Sequence, residues 1–172
     1  MSSMLRISEI AVGHRFWWPI LLLCSMTFWQ CALRPIPKDL ATYINRDIYG
    51  IAQLENSGLQ RYAGLTGDNY VSDAALKEAL DEEILPAYVR FADLTCRIEP
   101  RTEPVRKLHT LYRKAAGYRL KGFRMVLMAI DAQDPDLVRQ ANQMLDQGQA
   151  YISQWRALLA EMTTRYGLEL KE

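Results

Sequence analysis

VRQANQMLDQGQAYISQWRALLAEMTTRY, residues 138–166, is the stretch that decides the fold. Its apolar and small residues recur at alternating steps of three and four. They are Val138, Ala141, Leu145, Gly148, Ile152, Trp155, Leu159, Met162 and Tyr166. Such a sustained period predicts a helix that packs lengthwise, at about 20°, against its neighbours. Asp134, followed by Pro135, is a typical helix start, and Gly167 is a typical stop.

Three further helices are predicted upstream of this one. Their approximate limits are Lys38–Tyr62, Ser72–Ile98 and Thr102–Ile130. Turn-forming residues at 64–69 separate the first two, and Ser72 and Thr102 suit N-cap positions. No segment alternates in the manner of a strand. We therefore predict an all-α protein whose residues 38–172 form an antiparallel four-helix bundle.

The second predicted helix has a coiled-coil-like seam that contains a proline. The inward residues are expected to be Leu80, Ile84, Ala87, Phe91, Leu94 and Ile98. Pro86 lacks an N–H and crowds the preceding turn, so we expect a kink there.

Residues 16–33, FWWPILLLCSMTFWQCAL, form an uncharged apolar run behind a short basic tail at residues 1–15. The run is close to the length that spans a bilayer, and tryptophans near both ends suit the membrane interfaces. We predict a transmembrane signal anchor, joined to the bundle by a linker at residues 34–37. The helical domain is expected on the extracytoplasmic, periplasmic side.

Three alternatives to an uncleaved anchor stay open. A bacterial lipoprotein signal would end at a modified cysteine, here Cys31, although Phe28-Trp29-Gln30 makes a poor lipobox. Cleavage by signal peptidase normally needs small residues before the cut, and these same residues offer none. Burial of the run as a core helix would need a larger partner domain.

Composition excludes several classes of protein. The chain has a formal net charge of only +1, which does not suit a nucleic-acid binder.

Cys96 is the one cysteine after the apolar run, and we expect it to be a small buried core residue. Glu78 and Glu82 share a helix face, but a metal site needs oxygens from more than one segment. We predict no metal, no cofactor and no catalytic residue.

The third predicted helix carries a basic stripe in which Lys107, Lys114 and Lys121 are seven residues apart. One interpretation is a surface for an anionic partner or for lipid headgroups. The other, which we expect, is charge pairing of the basic residues at 119–124 with the acidic cluster at 78–83. His109 on the same helix is expected to be a hydrogen-bonded, partly buried residue.

Tyrosine is abundant, and most of its nine copies are expected to fill the core. Tyr49 and Tyr118 each adjoin a glycine, Gly50 or Gly117, where a pocket or partner groove could form. With Lys107, Lys114 and Lys121, these two tyrosines make up the candidate partner or ligand surface.

Two functional hypotheses follow from the sequence. The first is a membrane-tethered, non-catalytic helical bundle of the cell envelope that acts through protein–protein contacts. The second is a ligand-binding sensor bundle of the envelope that signals through a partner.

Overall fold

A computed structural model of the protein describes residues 36–168, and these residues are all-helical. The first helical run comprises α1 (Ile36–Thr42), a π-helical segment (Tyr43–Ile48) and α2 (Tyr49–Ala63). The second comprises α3 (Asp73–Ala79), a π-helical segment (Leu80–Ile84) and α4 (Leu85–Cys96). The third and fourth are single helices, α5 (Glu103–Ala132) and α6 (Pro135–Tyr166). A 3₁₀ turn (Gly67–Asn69) lies between the first two runs.

The predicted helix ends are largely confirmed. Ser72 is the N-cap of α3 and accepts a hydrogen bond from the Ala75 N–H. Asp134 caps α6 through the N–H groups of Asp136 and Leu137. Thr102 occupies the N-cap position of α5, but its side chain makes no capping hydrogen bond. One boundary was misplaced, because Ile36 and Pro37, which were assigned to a linker, already belong to α1.

Asp39, an acidic residue of α1, accepts hydrogen bonds from the backbone just before α5. Asp39 is 6% exposed, and its carboxylate accepts hydrogen bonds from the N–H groups of Arg101 and Thr102 and from the Thr102 hydroxyl. Burial raises the pKa of Asp39, but these hydrogen bonds outweigh it and leave the pKa below its ordinary value. The contact fixes the beginning of α1 to the loop before α5.

α5 and α6 form the most extensive helix pair, and two glycines let them approach closely. A Cβ added at Gly122 would lie 2.6 Å from Leu145 Cδ2, and one at Gly148 would lie 2.7 Å from Arg119 Cγ. Residue numbers rise along one helix as they fall along the other, so the pair is antiparallel. On α5 the close approach occurs at Gly122, whereas Gly117 has nothing within 4 Å of an added Cβ.

The π-helical segment before Pro86 shifts the predicted seam of the second run by one residue. Tyr88 and Thr95 are fully buried, whereas Ala87 and Leu94, predicted inward, are only partly buried. A π turn contains an extra residue, which changes the helix face locally, and Phe91 remains fully buried as predicted. This widening immediately precedes the proline, whose missing N–H would otherwise interrupt the α-helical ladder.

The expectation that Cys96 is buried was wrong. Thr95 takes the core position, and Cys96, one residue further on, is exposed.

The predicted membrane run at residues 16–33 and its Cys31 lie outside the described residues. Among residues 36–168, no helix combines the length and the apolar character that crossing a membrane requires.

Candidate functional site

A buried ion pair connects three of the helical runs. Glu55 on α2 and Arg119 on α5 lie 2.7 Å apart, with side chains 11% and 9% exposed. The other Glu55 oxygen accepts a hydrogen bond of 2.6 Å from the Tyr112 hydroxyl. Arg119 also donates to Gln149 Oε1 on α6, at 2.8 Å. Burial and the adjacent Glu55 charge raise the pKa of Tyr112 above its ordinary value, so its hydroxyl remains a donor.

A cavity of about 210 Å³ opens beside this ion pair. Its lining comes from the first, third and fourth runs. The lining residues are Ile48, Ala52, Glu55, Asn56, Leu59, Tyr112, Arg119, Ile152, Trp155 and Arg156. The cavity is therefore mostly apolar and aromatic, with charged groups at one wall and at the rim, as is typical of small-molecule sites.

A second polar chain holds the aromatic wall of the cavity in place. Trp155 Nε1 donates to the Tyr43 hydroxyl at 3.2 Å, and that hydroxyl lies 3.3 Å from His109 Nδ1. His109 Nε2 is 3.1 Å from the Thr95 carbonyl oxygen, which can only accept a hydrogen bond, so Nε2 carries the proton. His109 is 3% exposed, and burial lowers its pKa. The predicted hydrogen-bonded histidine is confirmed, and it is neutral.

The predicted basic surface forms a separate, shallow cleft on α5. Lys114, Gly117, Tyr118 and Lys121 line this cleft, whose volume is about 360 Å³. Tyr118 stacks on Tyr151 of α6 with ring centroids 5.4 Å apart. The Lys114 ammonium lies 5.2 Å from the centroid of the Tyr151 ring. We call this feature the lysine–tyrosine cleft.

The other two predicted surface residues do not line the lysine–tyrosine cleft. Lys107 is exposed on α5 and lies 3.9 Å from Glu103. Tyr49 is 77% exposed on α2, and Gly50 beside it has nothing within 4 Å of an added Cβ. The structure brings together Lys114, Tyr118 and Lys121 but not all five residues.

We expected the acidic cluster at residues 78–83 to pair with the basic residues at 119–124 of α5. That expectation was wrong. Glu83 pairs with Arg61 on α2, and Arg119 pairs with Glu55. Lys77 instead forms an ion pair with Asp131 of α5. Lys114 and Lys121 have no ion-pair partner within residues 36–168.

Sequence reasoning missed the cavity and its ion pair, although a signal was present. Glu55 follows Ile51 by four residues, and Arg119 precedes Phe123 by four, so both occupy inward positions of their helices. A charged residue at an inward position of two different helices indicates a buried pair.

No protein family, curated protein or solved structure matches the chain. Among residues 36–168, no group of three or more histidine, cysteine or acidic side chains is placed to hold a metal ion.

Proposed function

We propose that the protein is a membrane-tethered, non-catalytic, antiparallel four-helix bundle of the cell envelope that acts through protein–protein contacts. The tether is the apolar run at residues 16–33, and the bundle lies on the periplasmic side. The observation that carries the contact role is the lysine–tyrosine cleft, where exposed cations flank an aromatic pair.

The chemistry of the cleft suits an acidic segment of a partner protein. Lys114 and Lys121 present ammonium groups to solvent, seven residues and therefore two helical turns apart. Tyr118 is half-buried and stacked, so its contact area is already ordered and costs little further entropy on binding. The stacked tyrosines belong to a residue type that is enriched at interfaces, and the lysines suit the polar rim of such a contact.

The buried titratable groups support a structural rather than a catalytic role. Glu55 uses both carboxylate oxygens, and His109 uses both ring nitrogens, in contacts that hold the helices together. A general base needs an accessible lone pair within reach of a substrate. In this arrangement every side-chain nitrogen or oxygen of the two groups already has a hydrogen-bond partner in another part of the bundle.

Site-specific photo-crosslinking in the native host tests the contact role. A photoreactive residue at Gly117, inside the cleft, is expected to yield a discrete adduct with one protein in the membrane fraction. Lys114→Glu with Lys121→Glu should reduce that adduct by about tenfold, because two attractions become repulsions.

The matched control makes an equal change of charge elsewhere on the surface. Arg139→Glu with Arg165→Glu alters two exposed cations on α6 that already pair with Asp136 and Glu161. The adduct should survive this change. An adduct that resists reversal of the cleft lysines, or the absence of any adduct, would contradict the contact role.

The cavity beside Glu55 and Arg119 favours a second candidate, a ligand-binding sensor bundle of the envelope that signals through a partner. Its mouth lies between the first and fourth runs, so an occupant would touch both and bias their packing. If adding a ligand changes the yield of the cross-linked adduct at Gly117, that result would support this candidate over a simple scaffold.

A further inference from the structure

We propose that the cavity between the first and fourth helical runs binds a small monoanionic ligand, a carboxylate attached to a single apolar ring or a short branched chain. The proposal does not depend on the acidic-partner contact, because the cavity and the lysine–tyrosine cleft share no residue. Three features of the lining determine the ligand class: the donors at its charged wall, the cation at its rim, and its size.

The charged wall combines the donor groups of Arg119 with a Glu55 carboxylate whose charge Arg119 balances. Glu55 Oε1 is occupied by Arg119 and Oε2 by Tyr112. The Arg119 guanidinium has five N–H groups and donates hydrogen bonds to Glu55 and Gln149, and it also lies near the Tyr88 hydroxyl. The Arg119 Nε–H makes no hydrogen bond among these residues. Arg119 lines the cavity and has more N–H groups than these partners occupy, so an oxygen acceptor suits this wall.

The rim adds a positive charge that nothing in the cavity balances. Arg156 on α6 is exposed and has no ion-pair partner within residues 36–168. Glu55 and Arg119 neutralise each other, so the lining carries one net positive charge. Asn56, also at the rim, supplies an amide that can donate to the same anion.

The body of the cavity selects an apolar group of limited size. Trp155 and Tyr112 form one wall with ring centroids 5.1 Å apart, and Ile48, Leu59 and Ile152 complete the apolar lining. The volume of about 210 Å³ lies below the roughly 300–1,000 Å³ of sites for drug-sized molecules. One ring with a carboxylate fills such a space.

The cavity walls are positioned before any ligand arrives. Trp155 is held by its hydrogen bond to Tyr43, and Arg119 is held by Glu55 and Gln149. Gly148 leaves the room that the Arg119 stem needs, since a Cβ there would lie 2.7 Å from Arg119 Cγ. A buried ion pair contributes little to stability compared with apolar packing, so its position at a cavity wall is consistent with recognition.

Isothermal titration calorimetry on the full chain in detergent tests the proposal with three probes of similar shape. Benzoate is the anion, benzamide its neutral isostere and benzylammonium the cation. Benzoate is expected to bind about tenfold more tightly than benzamide, the margin of one charge-assisted hydrogen bond. Benzylammonium is expected to bind most weakly.

Two variants locate the binding. Arg156→Gln should reduce the benzoate affinity to nearly that of benzamide and leave benzamide unchanged, whereas Arg165→Gln on the same helix should change neither. Ala52→Phe should fill the cavity and abolish both, with an unchanged far-ultraviolet circular dichroism spectrum. Equal affinity for benzoate and benzamide, preference for benzylammonium, no binding, or binding that survives Ala52→Phe would overturn the proposal.

Discussion

At the residue scale, the Glu55–Arg119 pair is the interaction most sensitive to a single substitution. Glu55→Gln leaves the Arg119 charge buried without a counterion, so we expect a loss of about 3 kcal/mol in the free energy of unfolding. Urea denaturation followed by circular dichroism measures it. Glu161→Gln, in an exposed pair with Arg165, should cost no more than about 1 kcal/mol.

Removing both charges should be milder than removing one. Glu55→Leu with Arg119→Met takes away the carboxylate and the guanidinium together. We expect a favourable coupling of about 0.5–3 kcal/mol in the double-mutant cycle. Additive single effects would show that the two side chains do not interact as described.

His109 gives the folded state a defined pH dependence. Burial lowers its pKa below the ordinary value of 6.5, so near and below that pH the unfolded chain binds a proton that the folded chain does not. Stability should therefore fall as the pH decreases from about 6.5 to 5, by at most about 1.4 kcal/mol per pH unit.

A histidine substitution checks the origin of that slope. His109→Gln should flatten the dependence of the unfolding free energy between about pH 5 and 6.5, above the range of ordinary carboxylates. His14→Gln, the change at the other histidine of the chain, should leave the slope in place. A slope that persists in His109→Gln would assign it to another group.

Single-residue features were predictable where the residue type matches its position. A lone histidine beside an apolar helix face indicated burial with hydrogen bonds, and His109 shows both. The Glu55–Arg119 pair was not anticipated, because Arg119 was grouped with the basic surface residues at 119–124 and Glu55 was not considered, although the spacing of both is inward. The choice between solvent and burial depended on a partner from a distant part of the chain, which periodicity in one helix does not reveal.

At the element scale, two glycines of the α5–α6 pair differ in the space around them. Gly148 lies where the two helices approach closely, whereas Gly117 does not. Gly148→Ala would place a Cβ 3.2 Å from the Ala115 carbonyl oxygen and 2.7 Å from Arg119 Cγ. We expect a loss of about 1–3 kcal/mol in unfolding free energy from this overpacking. Gly117→Ala meets nothing within 4 Å and should stabilise the protein by up to about 1 kcal/mol.

Thermal or urea denaturation of Gly148→Ala and Gly117→Ala measures the difference between their unfolding free energies. Both changes add one methyl group in the middle of a helix, so helix propensity cancels between them. Equal stability of Gly148→Ala and Gly117→Ala would contradict the close approach of α5 and α6.

Helix ends were predictable and helix irregularities were not. Ser72, Asp134 and Gly167 are local signals, and each lies where the sequence placed it. The π-helical segments at Tyr43–Ile48 and Leu80–Ile84 carry no distinctive composition. A proline was read as a kink, but the extra residue of a π turn was not foreseen, and it moved the buried face from Ala87 to Tyr88.

At the scale of the whole molecule, the all-helical fold was predictable from the period of residues 138–166, and it is confirmed for residues 36–168. The pairing of charged side chains between helices was not predictable. The basic residues of α5 and the acidic residues of the second run each had several possible partners of opposite charge. The cavity exists only where three runs converge. No single stretch of sequence encodes it.

The proposed role needs both the membrane tether and the bundle. The central question is therefore whether residues 1–34 stay attached to the bundle. We predict that the protein remains in envelope membranes after an alkaline carbonate wash. An anchor retains the whole chain, whereas a lipoprotein would begin at Cys31 and carry added lipid mass. Either form keeps the bundle at the membrane.

Intact mass spectrometry of the carbonate-washed membrane fraction is the most direct test of a membrane-tethered bundle. We predict a single species in the membrane pellet whose mass includes residues 1–34, which is 19.8 kDa for residues 1–172. A shortened, unlipidated chain in the soluble periplasmic fraction, or the full chain in the cytosol, would contradict it.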